Sequence, residues 1–126
     1  MKILMPVVVV CCVFGAGSAS AKGFSKEYTR CLNTSYGNNA TVKKCAEKEY
    51  KEQEKRLKET FKNYLGNSGS NQQNIMVQHK LWENRVQQQC YFKSSYEFAE
   101  VQKLKCVLAM TVNQADYYQT KFITAK

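Results

Sequence analysis

The sequence predicts an all-α fold, a small disulfide-stapled bundle of three main helices: an antiparallel helical hairpin plus a third helix, with room for a short N-terminal helix. Three observations predict it. Apolar residues recur at alternating steps of three and four through most of the chain. Proline occurs only at Pro6, so nothing beyond it forces a helix break. Four cysteines, Cys31, Cys45, Cys90 and Cys106, lie beyond the leading segment, an even number in a small domain that reads as exported.

The leading segment is Met1 to Ala21. Lys2 supplies a short positive region, Ile3 to Phe14 an apolar run, and Ala19-Ser20-Ala21 a small-residue close. These are the parts of a secretory signal peptide, too short and wrongly flanked for a membrane anchor. The rival reading, lipid modification at Cys11 or Cys12, lacks the small residues that such processing prefers ahead of the cysteine. Cleavage after Ala21 leaves residues 22–126 as a single domain.

Within that domain, Phe24, Tyr28, Cys31 and Leu32 have helical spacing, which places the optional short helix between Phe24 and Tyr36. Val42, Ala46, Tyr50, Leu57, Phe61 and Tyr64 form one stripe of a first main helix from Thr41 to Leu65, with Thr41 as N-cap and Gly66 as stop. The turn Gly66 to Asn71 returns the chain into a second helix, Gln72 to Phe92, whose stripe is Ile75, His79, Trp82, Val86 and Cys90; the short connection makes it the antiparallel partner of the first. Ser94-Ser95-Tyr96-Glu97 offers a capping box for a third helix ending near Phe122, in which Val101, Leu104, Leu108, Thr111, Ala115 and Tyr118 repeat. The expected core therefore centres on Tyr50, Leu57, Phe61, Trp82, Val86, Leu104 and Leu108.

The chain is basic, with a formal charge of +9 that becomes +8 when Lys2 leaves with the signal. Lys44, Lys48, Lys51, Lys55, Lys58 and Lys62 recur along the first main helix on the side away from its apolar stripe. Glu47 with Lys51, Glu52 with Arg56 and Glu54 with Lys58 are spaced as helix-stabilising pairs, each worth a few tenths of a kcal/mol. The bland reading of this ridge is a solvated face. The functional one is a surface for an anionic envelope polymer, an anionic lipid or an acidic protein, with nucleic acid not expected as a partner of an exported chain.

Cysteine separations of 14, 45 and 16, with no close Cys-x-x-Cys pair and His79 as the only histidine, favour two disulfides over a zinc site. Two pairings stay open. The hairpin register brings Cys45 near Cys90, which would leave Cys31 with Cys106. The preferred pairing is Cys31 with Cys45 and Cys90 with Cys106, because Cys45 lies to one side of its stripe and a late start to the third helix brings Cys106 to the end of the second.

No catalytic constellation is visible. His79 falls on a core stripe, where a hydrogen-bonded packing role outweighs that of a base or ligand, and oxidised cysteines are not nucleophiles. Most glutamates sit among lysines on a wet helix face rather than as a carboxylate pair in a cleft. There is no phosphate-cradling glycine loop, and no metal or other cofactor is expected. Asn33-Thr34-Ser35 and Asn39-Ala40-Thr41 are glycosylation sequons, with chance occurrence as the default.

Taken together, "CLNTSYGNNATVKKCAEKEYKEQEKRLKETFKNYL", "HKLWENRVQQQC" and "CVLAMTVNQADYY" resemble the LprI-like lysozyme-inhibitor family of small secreted bacterial proteins. The family's run of tyrosine, acidic residue, leucine and aromatic corresponds to Tyr50, Glu54, Leu57 and Phe61; its tryptophan ahead of the third cysteine to Trp82; and its threonine after the fourth to Thr111. The chain departs from the pattern at His79, where glutamine is usual, at Val86 and Gln87, where an arginine-aspartate pair is usual, and at Gln114, where arginine is common.

The resemblance implies a non-enzymatic periplasmic or secreted protein whose partner is a peptidoglycan hydrolase or toxin, with a loop or helix edge filling the partner's cleft. The candidate segments are the turn Asn67 to Asn71 with Ser68 and Ser70, the segment Tyr91 to Tyr96 with Lys93, and the loop Asn33 to Thr41. The alternative is an envelope module that binds an anionic polymer or lipid surface through the lysine ridge.

Overall fold

A computed structural model describes residues 23–91 and 97–124, the side chains of Glu97 and of residues 122–124 excepted. The expected signal segment, the candidates Lys93 and Tyr96, and most of the expected capping box lie outside the described residues. The described residues form four helices, α1 (Lys26–Thr34), α2 (Asn39–Gly66), α3 (Gln72–Cys90) and α4 (Glu97–Thr124), with a 3₁₀ turn, Gly69–Asn71, between α2 and α3.

The starts of α1 and α2 each have a chemical cause. Ser25 caps α1, its hydroxyl accepting from the Tyr28 N–H at 3.1 Å, and Glu27 stands in the first turn, where the helix dipole favours negative charge. The expected cap Thr41 is corrected. α2 begins earlier, and Asn38 caps it by accepting from both the N–H (3.1 Å) and the hydroxyl (3.2 Å) of Thr41. Thr41 is thus the donor in the third helical position, and the amide oxygen of Asn38, three residues before it, provides the acceptor. At the other end Gly66 belongs to the last turn instead of stopping the helix. The stop is Asn67, whose N–H reaches Asn63 O at 3.2 Å and whose side-chain amide reaches the same carbonyl at 2.7 Å.

α2 and α4 run in the same direction. Lys43 meets Glu100, Arg56 meets Asp116 and the Tyr64 ring meets Tyr118, so both numbers rise together. α3 runs against both: Cys90 is bonded to Cys106, whereas His79 reaches Tyr118. The bundle is therefore up, down, up. α3 returns beside α2 as the short turn requires, but α4 provides most of the packing along α2. Along α3 only the strip Ile75, Trp82, Val86 and Cys90 is buried.

Two apolar clusters share α2 and α4. One joins Leu57, Trp82, Val86, Cys90, Val107, Ala115 and Tyr118; the other joins Tyr28 from α1 to Cys45, Ala46, Leu108 and Val112. Leu57, Trp82, Val86 and Leu108 are buried as expected. Tyr50, Phe61 and Leu104 are only partly buried and pack against the cluster edges, because α3 leaves one side of the α2–α4 seam open. The disulfides are Cys31–Cys45, fastening α1 to α2, and Cys90–Cys106, fastening α3 to α4. Each joins neighbouring helices, with Cα atoms 5.7 and 5.4 Å apart.

Candidate functional site

The up-down-up course gathers several features at one end of the bundle. The loop between α1 and α2 and the start of α4 lie there with the Cys31–Cys45 disulfide, while the C-terminus of α3 and the Cys90–Cys106 disulfide sit further along, Cys106 being the tenth residue of α4. The loop is shorter than the expected Asn33 to Thr41, because α1 continues to Thr34 and α2 starts at Asn39; only residues 35–38 are outside helices. Its base is fixed. Ser35 is buried, its hydroxyl donates to Leu32 O at 2.7 Å, and the Asn38 N–H donates to Ser35 O at 3.0 Å before its side chain caps α2.

From that base Tyr36 projects with 94% of its surface exposed, at φ +50°, followed by Gly37 at φ +74°. Left-handed backbone suits glycine and is strained for a bulky residue, at a cost of about 1–2 kcal/mol. The ring gains no burial in return. Phe98 (62% exposed) sits at the same end, and Tyr91 (45% exposed) lies further along beside Tyr50 and Val107, with the Lys103 ammonium 4.3 Å from the Tyr91 ring centroid. Arg30 and Lys44 are exposed near the loop, Lys43 pairs with Glu100 at 3.2 Å, and the chain from Tyr28 to Ala46 contains no carboxylate.

The turn at the opposite end has a different character. Asn67 and Ser70 are exposed and Ser68 is half-buried, but the side chains of Asn67, Ser68 and Gln72 donate to Asn63 O, Tyr64 O and Leu65 O. Their polar groups are spent closing the C-terminus of α2, and no aromatic ring projects from the turn.

All six ridge lysines, Lys44, Lys48, Lys51, Lys55, Lys58 and Lys62, are exposed along α2. Of the three expected pairs only Glu54–Lys58 forms among the described residues, at 3.6 Å. The Glu52–Arg56 expectation is corrected, because Arg56 turns inward.

That inward turn belongs to a polar chain with no counterpart among the sequence expectations. Glu49, 3% exposed, accepts from the Ser25 N–H (2.6 Å) and hydroxyl (2.8 Å). Gln53 donates to Gly23 O at 3.2 Å and accepts from Arg56 Nε at 2.8 Å. Arg56 in turn pairs with Asp116 at 2.8 Å and donates to Gln119 at 3.1 Å. Glu49 therefore does not sit on the wet face expected of the glutamates. The chain ties residues 23–25, α2 and α4 together, and its role is structural. Spacing hinted at it weakly: Glu49, Gln53 and Arg56 share one helix face at steps of four and three.

His79 packs in a shallow cleft of about 280 Å³ whose lining includes Phe61, Trp82, Glu54 and Glu83. Its ring stacks on Phe61 with centroids 4.2 Å apart. Nε2 faces the Glu83 carboxylate at 3.3 Å and Nδ1 lies 2.7 Å from the Tyr118 hydroxyl. Glu83 can only accept, so Nε2 carries the proton and Nδ1 accepts from Tyr118. Burial lowers the His79 pKa, outweighing the upward pull of Glu83, and the neutral ring satisfies both partners as a packing histidine. Among the described residues no group of three or more histidine, cysteine or acidic side chains is placed to hold a metal, and no helix is long and apolar enough to cross a membrane.

Against known proteins, the family described as lysozyme inhibitor LprI matches residues 31–117, a span that contains both disulfides and the Tyr36 loop. No curated protein and no solved structure gave a match.

Proposed function

The chain belongs to the LprI lysozyme-inhibitor family, and from that premise we propose that it is an exported, non-enzymatic inhibitor of a lysozyme or related peptidoglycan hydrolase, which it blocks with the disulfide-stapled end of its bundle. One observation supports the assignment of that end: the Cys31–Cys45 staple fastens the helices on either side of the loop that exposes Tyr36, with Phe98 exposed at the start of α4, while the second staple holds α3 to α4 further along. A surface held rigid before binding loses less entropy on association, and exposed aromatics are the residues that anchor interfaces. Two disulfides also suit an oxidising compartment. The formal charge disfavours strongly basic lysozymes, which would be repelled at long range, and favours a less basic hydrolase or a toxin of that class.

The test is a cell-wall lysis assay with oxidised residues 22–126 in stoichiometric excess over strongly and weakly basic muramidases, at low and physiological salt. The reading expects slowed lysis with a weakly basic enzyme. Unchanged lysis across the panel, with the protein shown to be folded, contradicts it.

A second reading has its own support, the row of six exposed lysines of which only Lys58 is ion-paired among the described residues. It is binding of an anionic envelope polymer along α2. Such binding weakens steeply with salt, whereas a seated inhibitor loses mainly association rate. Replacing Lys48, Lys51, Lys55 and Lys58 by glutamine abolishes polymer binding if the ridge is the surface. Retained binding makes it a solvated face.

A further inference from the structure

Resting on the inhibitor reading, we infer that Tyr36 is the inserted anchor and that its receptor is the catalytic cleft of a glycan hydrolase carrying paired carboxylates. The inference begins from what Tyr36 does not do. Its ring is 94% exposed, so it contributes nothing to the core, and its backbone sits at φ +50°, where glycine or asparagine would fit with less strain. Folding alone gives no reason for tyrosine here. The surroundings nevertheless hold it firmly: Ser35 is buried and bonded back to Leu32, Asn38 caps α2, and Cys31–Cys45 closes the two helices beneath. A strained, exposed, rigidly mounted aromatic is arranged for contact with something outside the chain.

Charge identifies the kind of contact. Around the loop, Arg30, Lys43 and Lys44 are the charged residues between Tyr28 and Ala46, and no carboxylate interrupts them. With Lys43 paired to Glu100, Arg30 and Lys44 are the exposed cations of the helices that flank the loop, and a phenol mounted between them complements an acidic concavity. Glycan hydrolases that act through two carboxylates flanking the scissile bond present such a concavity, lined with surfaces that stack against sugar rings. The Tyr36 ring would occupy a sugar subsite while its hydroxyl donates to a catalytic carboxylate, with Arg30 and Lys44 facing the acidic rim. Phe98, exposed at the start of α4, is available to cover the cleft edge.

The experiment compares inhibition constants of wild type, Tyr36→Asn and Tyr36→Phe against the muramidase that wild type inhibits best. Asparagine tolerates the left-handed backbone, so the fold is retained and thermal unfolding confirms it. Tyr36→Asn is expected to weaken inhibition about thirtyfold or more, the loss typical of a central anchor, and Tyr36→Phe to weaken it less. In addition, replacing the muramidase's catalytic acid by alanine should reduce the affinity of wild type more than that of Tyr36→Phe. Equal inhibition by wild type and Tyr36→Asn overturns the anchor while leaving the inhibitor function in place. Absence of inhibition by wild type with every enzyme overturns that function, and this inference with it.

Discussion

Tyr36 and Arg56 show how one residue can serve opposite ends within the same small protein. Tyr36 is exposed and strained, so exchanging it for asparagine leaves the unfolding free energy unchanged or raises it by up to about 1 kcal/mol, measured by urea denaturation, even as it removes the proposed anchor. Arg56 is the reverse case. Its pair with Asp116 is shielded, with side-chain exposures of 15% and 18%, and it also holds Gln53 and Gln119. Arg56→Ala leaves those acceptors under-satisfied in a half-dry seam, and we expect a loss of about 2 kcal/mol. Lys58→Ala, which breaks an exposed pair with Glu54, is expected to cost under about 0.5 kcal/mol in the same measurement. Comparable losses for the two variants would show that the inward polar chain is not a structural tie.

At the scale of the helix, periodicity was the legible signal and partner choice the illegible one. Val42, Ala46 and Leu57 on α2, and Ile75, Trp82 and Val86 on α3, announce their faces by spacing, since a helix needs one apolar side. What packs on that side is set by three-dimensional closure. Adjacency in the chain pointed to α3 as the partner of α2, yet α4 supplies most of the packing. For the same reason Glu49, Gln53 and Arg56 read as wet: a charged helix face looks solvated until residues 23–25 and α4 are laid across it. Tyr36 lay inside the candidate loop Asn33 to Thr41, but its near-complete exposure and positive φ depend on where α1 ends and α2 begins, which spacing alone did not set.

The pH response of α3 follows from the burial of His79. His79 has a folded pKa below its unfolded value, so protons bind the unfolded chain more readily. Its contribution is therefore present above the unfolded pKa and is lost as pH falls through the region of that value, about 6.5. Unfolding free energy should decline between pH 7 and pH 5 in wild type, and His79→Gln should show a shallower slope. A slope unchanged by the substitution would contradict the role assigned to burial at His79.

For the whole molecule, the staples decide rigidity. Each closes a short loop, with sequence separations of 14 and 16, and each is worth about 3 kcal/mol by restriction of the unfolded chain. Cys31→Ala with Cys45→Ala should lower the unfolding free energy by that order and loosen the mounting of Tyr36; the matching pair at Cys90 and Cys106 should lower stability similarly. The stability of either double variant is read by denaturant titration under oxidising conditions. Fold class and helix order could be read from the chain because stripes, a proline-free domain and four cysteines all pointed the same way. The pairing of the cysteines was left open between two sets, and the preferred one, Cys31 with Cys45 and Cys90 with Cys106, is the one observed.

The most direct measurement of cleft occupation is competition. A muramidase that this protein inhibits is titrated with it in the presence and absence of a saturating oligosaccharide of N-acetylglucosamine, which fills the cleft, and binding is followed by calorimetry. The account predicts that the sugar suppresses binding and that binding returns as the sugar is diluted away. Simultaneous, undiminished binding of sugar and protein would contradict insertion of the stapled end into the cleft.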